Sequence, residues 1–268
     1  MEIMNLVLGT ALDYNVSQIR TFVESFKKYH PNEQLALVVS PHNAIFIEYL
    51  VKNNVKLVHF ETRVFIGTHI NNSRFFKYTD FLFDHKLDYD KIFLTDTRDV
   101  VFQNNVFENT PEDFLYFFKE DDKATIGENP YNSKWITDVF GDEGLKELSD
   151  KNIICCGTTL GTMDRILNYT NSMCQLLYNT GVNKPTVFQT NIDQGIHNYL
   201  AHIGFATHKY FSIKSNGDIV GTVGLSLEKS PEILVKRNKK LEVNGNIPAV
   251  IHQYDRSKDL IEFFNNEK

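Results

Sequence analysis

The sequence predicts an α/β protein with a parallel sheet covered by helices on both faces. Three observations predict it. Strand-like apolar runs alternate with helix-period segments through the first ninety residues. Those runs are nearly continuous in apolar character, as in strands buried on both sides. Hydrophobic residues make up 42% of the 268, with 21 Phe and 12 Tyr, enough for a large core built on rings. Residues 3 to 9 (IMNLVLG) form the first strand, ending at Gly9. Val16, Ile19, Phe22, Val23 and Phe26 then recur at helical spacing up to the turn at His30-Pro31. A strand over 35 to 39, a helix over about 43 to 53, a strand over 55 to 60, a helix over about 70 to 86 and a strand over 91 to 95 continue the alternation.

Beyond residue 100 the alternation loosens. An aromatic stretch (FLYFF, 114 to 118) is followed by a polar region, 119 to 150, that reads as loops and short helices over the sheet edge. A short strand, 152 to 156, leads through Gly157 and Gly161 into a helix whose buried face is Met163, Ile166, Leu167, Met173, Leu176 and Leu177. Another helix, about 191 to 203, follows Pro185. The stretch from 205 to 252 reads as short strands separated by Asn216-Gly217 and Asn244-Gly245, ending in the apolar run IPAVIH. No repeat, low-complexity segment or dividing linker is present, so residues 1–268 read as one domain.

Composition excludes several functions. A net charge of -6 lacks the basic footprint of a nucleic-acid binder. No apolar run approaches the roughly 20 residues of a membrane span, and the N-terminus lacks the basic and apolar regions of a secretory signal, so a soluble, cytoplasmic protein is expected. Three cysteines, two of them neighbours, give no disulfide framework and fit a reducing compartment. The sequons at Asn15, Asn71 and Asn168 read as chance products of an Asn-rich chain. P-loop, dinucleotide-fingerprint, His-Glu-x-x-His and Cys-x-x-Cys motifs are missing. The basic run 236–240 and the acidic cluster Glu120-Asp121-Asp122 read first as solvated, and second as facing an acceptor.

In open α/β sheets, ligands bind at the carboxyl ends of the strands, which here are the residues just after Leu8, Val39, Phe60 and Leu94. The most informative segment is KIFLTDTRDVVFQNNVF, residues 91 to 107, where a buried strand ends and presents Asp96 and Asp99. Two carboxylates there suit a hard divalent cation such as Mn2+ or Mg2+, held by one or two carboxylates with substrate phosphates completing its shell. The plainer alternative makes Asp96 a turn or cap residue and Asp99 a surface partner of Arg98.

Asp96-Thr97-Arg98-Asp99 resembles the Asp-x-x-Asp metal motif of nucleotide-sugar-dependent glycosyltransferases of the GT-A fold. It looks most like the form in the glycosyltransferase domains of the lysyl hydroxylase and collagen glycosyltransferase type, and the chain as a whole also resembles glycogenin-like retaining transferases. A second signature is a late His after a strand, and His252 in VIHQYDRSK stands there. Glycogenin-like transferases continue it as His-x-x-Gly-x-x-Lys. Here His252, Asp255 and Lys258 keep that spacing, with Asp255 in place of Gly and Asp259-Leu260 in place of Pro-Trp. CCGTTLGT (155 to 162) resembles the strand and Gly-containing turn, Asn-x-Gly in relatives, that lines the donor-sugar pocket, with Cys155 in place of Asn. Asp193-Gln194 resembles the Asp-Gln pair that opens a late helix near the reaction centre.

The resemblance runs in order from residue 3 to 258 and implies a Rossmann-like, mixed and mostly parallel GT-A sheet, with a nucleotide-binding half over about 1–107 and a donor-sugar and acceptor half over about 108–268. The implied activity is transfer of a sugar, with retention, from a UDP-sugar to a hydroxyl of a glycan, protein or small molecule. Asp96, Asp99 and His252 would hold Mn2+ (or Mg2+). Thr10, Ala11 and Tyr14, with Asp96 and Thr97, would bind base and ribose, and Lys258 would meet the diphosphate. Cys156, Gly157 and Thr158 would line the donor-sugar pocket, and Asp193 and Gln194 would act at the reaction centre. An inverting enzyme would instead use Asp193 as its base.

Other readings stay open residue by residue. Tyr14 could cover the core, Gly157 could supply backbone freedom at a turn, and Asp193 could be a first-turn acid favoured by the helix dipole. Arg74 is a phosphate or sugar contact, or a surface ion pair. The rival functions are a catalytically silent sugar-nucleotide or glycan-binding module and a Mg-dependent phosphatase.

Overall fold

A computed structural model describes residues 3–60 and 69–265. The chain after Phe60, expected at the ligand-facing edge, lies outside the described residues at 61–68. Strands β1 (Met4–Ala11), β2 (Gln34–Val39), β3 (Lys56–His59) and β4 (Tyr89–Thr95) are mutually parallel. They alternate with helices α1 (Val16–Tyr29), α2 (Ala44–Lys52) and α3 (Ile70–Asp84), as the periodicity predicts. Asn15 begins one of the sequons, and its structural work is to cap α1: its side chain accepts from the Ser17 and Gln18 backbones while the Gln18 side chain accepts from its own.

After β4 come β5 (Val100–Phe102), β6 (Leu115–Lys119), helix α4 (Pro130–Leu148), β7 (Ile154–Thr162) and helices α5 (Met163–Asn183), α6 (Pro185–Phe188) and α7 (Asp193–Tyr199). One π-helical turn, Leu200–Gly204, extends α7. The chain ends with β8 (Phe211–Lys214), β9 (Val220–Thr222), α8 (Gly224–Lys229), β10 (Leu234–Arg237), β11 (Lys240–Val243), β12 (Val250–His252) and α9 (Lys258–Asn265). The central sheet runs β3-β2-β1-β4-β7-β6-β8. β7 lies antiparallel to both its neighbours, so β6 and β8 again point the same way as β4. A smaller sheet, β5-β12-β9, sits beside it.

Alternate residues of each central strand enter opposite cores. Leu6, Leu8, Ile92 and Leu94 pack beneath α3 and α5, while Val7, Leu35, Leu37 and Phe93 pack beneath α1 and α2. That is why the strands read as continuous apolar runs.

Two expectations gain detail and one is corrected. Residues 119–150 hold loops and short helices as expected: irregular chain up to Asn129, then α4, started by the Asn129 cap and Pro130, whose two helical parts meet at Gly141 with a φ of 74° that no helical residue adopts. The strand expected over 152–156 runs on through Gly157 and Gly161 to Thr162, so Gly157 is not at a turn. The run 236–240 is solvent-facing as expected, at the tip of the β10–β11 hairpin, which turns at Asn238 and Lys239 with φ 49° and 62°.

His30 closes α1 against the second core, 1% exposed, with Nε2 accepting from the Val106 backbone at 3.0 Å and its ring stacked on Phe26. Burial holds its pKa down to about 4 from 6.5. The unfolded chain therefore takes up the proton first. The resulting stability is present above pH 6.5 and is lost as pH falls from there toward 4, about 3 kcal/mol in all. Urea unfolding at pH 7 and pH 5 should show a drop in stability about 2 kcal/mol smaller in His30→Gln than in wild type. Equal drops would mean that folded His30 is already charged.

Candidate active site

The site forms at the edge where β1, β4 and β6 end and β7, being antiparallel, begins. Asp96 follows β4, and its backbone N–H donates to the Gly157 carbonyl at 2.7 Å. Thr97 Oγ1 donates to the Thr10 carbonyl at 2.8 Å, tying the segment to the end of β1. By Val100 the chain has passed into the smaller sheet, so residues 96 to 99 bridge the two sheets. There β12 lies antiparallel to β5 with His252 opposite Val100, which sets the imidazole beside Asp99. Gln253, left-handed at φ 64°, turns the chain at once and donates its backbone N–H to the Asp99 carbonyl at 2.8 Å.

One ligand atom from each of Asp96, Asp99 and His252 lies within 4.8 Å of the others, a cluster that could hold a metal ion. His252 Nε2 is 3.4 Å from Asp96 Oδ2 and 3.7 Å from Asp99 Oδ1. It is buried and makes no hydrogen bond among the described residues. Its other nitrogen, Nδ1, meets Cys155 Sγ at 3.4 Å. A Cβ at Gly157 would lie 2.5 Å from Asp96 Oδ2 and 2.6 Å from His252 Cε1, so the missing side chain leaves the cradle open. Two carboxylates, one imidazole, an orphaned nitrogen and a space that a methyl group would fill together fit a divalent cation.

The electrostatics favour positive charge at this point. Burial opposes charging of His252, but Cys155, Asp99 and Asp96 outweigh it and push its pKa well up. Burial also opposes ionisation of Asp96, yet the Arg74 guanidinium, followed by His252, holds it well below the usual range. Burial raises Asp99.

Arg74, from α3, is 7% exposed and joins the two parts of the site. Nη1 donates to Asp96 Oδ1, and Nη2 donates to Asp193 Oδ2 at 2.8 Å and to the Cys156 carbonyl at 3.4 Å. It is thus a buried bridge and not a surface pair. Asp193 and Gln194 open α7, which Asn198 fastens to β7 by paired hydrogen bonds of 2.8 and 2.9 Å with the Ile154 backbone. Gln194 Nε2 donates to Glu120 Oε1 at 3.1 Å and to Asn132 Oδ1 at 3.0 Å.

Two cavities, of 230 and 270 Å³, share Asn71, Arg74 and Asp96 as walls. The second is lined by Thr10, Tyr14, Thr97, Arg98 and Asp99; the first by Cys156, Gly157, Asp193, Gln194 and His252. Three expected residues line neither. Ala11 is buried in the core under α1, Thr158 is buried within β7, and Lys258 is exposed at the start of α9. Among the described residues the cleft-lining Arg and Lys side chains besides Arg74 are Arg98 and Arg256, and Arg98 Nε donates to Asp255 Oδ2 at 3.1 Å. A larger cavity, 380 Å³ between α1, β5 and α9, holds none of these groups.

Sequence reasoning missed Asn132 and Arg256, and gave Glu120 a place facing an acceptor only as its second reading. Glu120 is 7% exposed, against the expectation of a solvated cluster, and burial raises its carboxyl pKa. Neighbouring Asp121 is buried too, accepting from the Lys123 and Ala124 backbones, while Asp122 is exposed. The signal for Glu120 was its place: the first residue after β6, a strand that points the same way as β4 and so ends on the same edge.

No protein-family model matches the chain, and no curated protein sequence does. Solved structures do. A crystal structure of an active-site Gln-to-Glu variant of LgtC aligns with a TM-score of 0.62 at 11% identity, covering 97% of this chain and 94% of that one. The galactosyltransferase LgtC in complex with donor and acceptor sugar analogues aligns with a TM-score of 0.57 at 11% identity, covering 97% and 95%. The chain therefore has the mixed, mostly parallel GT-A fold that its motifs resemble. Among the described residues no helix is long and apolar enough to cross a membrane.

Proposed function

We propose that the protein is a metal-dependent glycosyltransferase that moves a sugar from a UDP-sugar to a hydroxyl acceptor with retention, its 268 residues forming one catalytic domain. The observation that carries this reading is the meeting of Asp96, Asp99 and His252 around an orphaned imidazole nitrogen, beside a cleft closed by Arg74, Asp193 and Gln194. The LgtC likeness in fold supports it.

Asp96, Asp99 and His252 would hold Mn2+ or Mg2+, which when bound supplies Lewis-acid neutralisation of the donor diphosphate. Thr10, Tyr14 and Thr97 would take the nucleoside, with the half-buried Tyr14 ring available to stack on the base. Arg98 and Arg256, already on the cleft wall, are placed to meet phosphate charge, whereas Lys258 would have to reach in from outside. In the transfer, the bond from the anomeric carbon to the phosphate oxygen breaks with its electron pair leaving on the diphosphate. The acceptor oxygen bonds to that carbon and its proton passes to the departing phosphate. Arg74 donates to Asp193 Oδ2 at 2.8 Å in a buried ion pair, so that carboxylate oxygen is engaged and not directed at an acceptor, which agrees with retention over inversion. Gln194, its amide held by Glu120 and Asn132, would line the sugar's reacting face.

The test is UDP release from a panel of UDP-sugars with Mn2+, Mg2+ or EDTA. Release from one donor, dependent on metal, is expected. Binding of UDP without cleavage would favour a silent sugar-nucleotide module, and phosphate release from a phosphomonoester would favour a phosphatase.

A further inference from the structure

Helix α4 carries two large aromatic side chains to the rim of the cleft that the transfer chemistry does not use. Tyr131 is 70% exposed and Trp135 is half-buried. Their ring centroids lie 6.2 Å apart at an interplanar angle of 36°, one helical turn from each other. Both line the same cavity as Asp193, Gln194 and His252.

Their nearness to the reaction centre is built in. A Cβ at Gly195 would meet the Trp135 backbone and Cβ at 3.0 Å, so a glycine next to Gln194 lets α4 approach α7 closely. Asn132, between the two rings in sequence, accepts from Gln194 Nε2 and fixes the spacing. The wall near the rings is rich in neutral amides: Asn71, Asn129 and Asn191 all line the cavity. Aromatic faces beside neutral amides suit a pyranose, whose C–H face stacks on a ring while its hydroxyls exchange hydrogen bonds with amides. The two rings stand at the rim of this 230 Å³ cavity, beside the residues assigned to the donor sugar, where a second sugar ring would meet it.

We propose that Tyr131 and Trp135 form a stacking platform for a carbohydrate, and that the acceptor is therefore a glycoside. Naming this sugar the acceptor rests on the transferase reading above; the binding platform itself does not.

Trp135 is the single tryptophan of the sequence, so its emission reports the platform without turnover. The protein is titrated with methyl β-galactoside, methyl β-glucoside, lactose and cellobiose, and with a serine- and tyrosine-containing peptide, each with and without UDP and Mn2+. A saturable change with at least one glycoside is expected, weakened about fivefold or more in Tyr131→Ala and restored in Tyr131→Phe, which keeps the ring. No response to any glycoside, or a Tyr131→Ala variant that binds like wild type, overturns the proposal, and so does a response to the peptide alone. A saturable glycoside response in a protein that releases no UDP would sink the transferase reading and leave the platform standing.

Discussion

Asp99→Asn and His252→Ala are each expected to lower metal-dependent UDP release by at least about a hundredfold while the fold persists. Loss of an outer partner to a metal ligand already costs about 10–100-fold in metal affinity, and loss of a ligand costs more. A Lewis acid supplies several kcal/mol toward leaving-group departure, and each 1.36 kcal/mol is a factor of ten. The two variants should fail together because the three ligand atoms lie within 4.8 Å and serve one ion. Calorimetric titration with Mn2+, run beside circular dichroism, reads the site without turnover: both variants should keep wild-type spectra and lose tight Mn2+ binding. Unchanged Mn2+ affinity in either would return the aspartates to the role of turn residues between β4 and β5.

Arg74→Met is expected to destabilise the protein by about 3–5 kcal/mol, the cost of breaking a buried ion pair and leaving a carboxylate uncompensated. The Arg74 and Asp193 side chains are only 9% and 4% exposed, so water does little for the remaining partner. Arg74→Lys should recover little, because an ammonium lacks the planar fork that reaches Asp96, Asp193 and the Cys156 carbonyl together. The double variant Arg74→Met/Asp193→Asn should be more stable than Arg74→Met alone, since it removes the orphaned charge. Urea unfolding of all four proteins measures this. A double variant no better than the single would show that Arg74 acts through packing and not through charge.

Much of the fold was legible because its signals are local. Strand runs and helix periods over the first ninety residues depend on neighbours a few positions apart, and they give the parallel half of the sheet nearly to its boundaries. Asp96 and Asp99 were legible for the same reason, sitting within one four-residue strand end. The seating of α4 was not, because it depends on α7, distant from it in the chain, and on the Ile126–Ile153 cluster. Glu120 was misread because three consecutive acids look solvated until β6 is seen to end at the site.

The sequence by itself determined the order of strands and helices, the carboxylate pair after β4 and the late histidine. Only the tertiary structure decided that β5 and β12 pair in the register that brings His252 beside Asp99, and that Arg74 bridges Asp96 to Asp193, the latter 119 positions along the chain from Arg74. It also decided that Arg98 and Arg256, and not Lys258, stand on the cleft wall. The physical reason is range. Propensity and periodicity act within a turn or a strand, whereas register, burial and ion pairing depend on which distant segments the cores bring together.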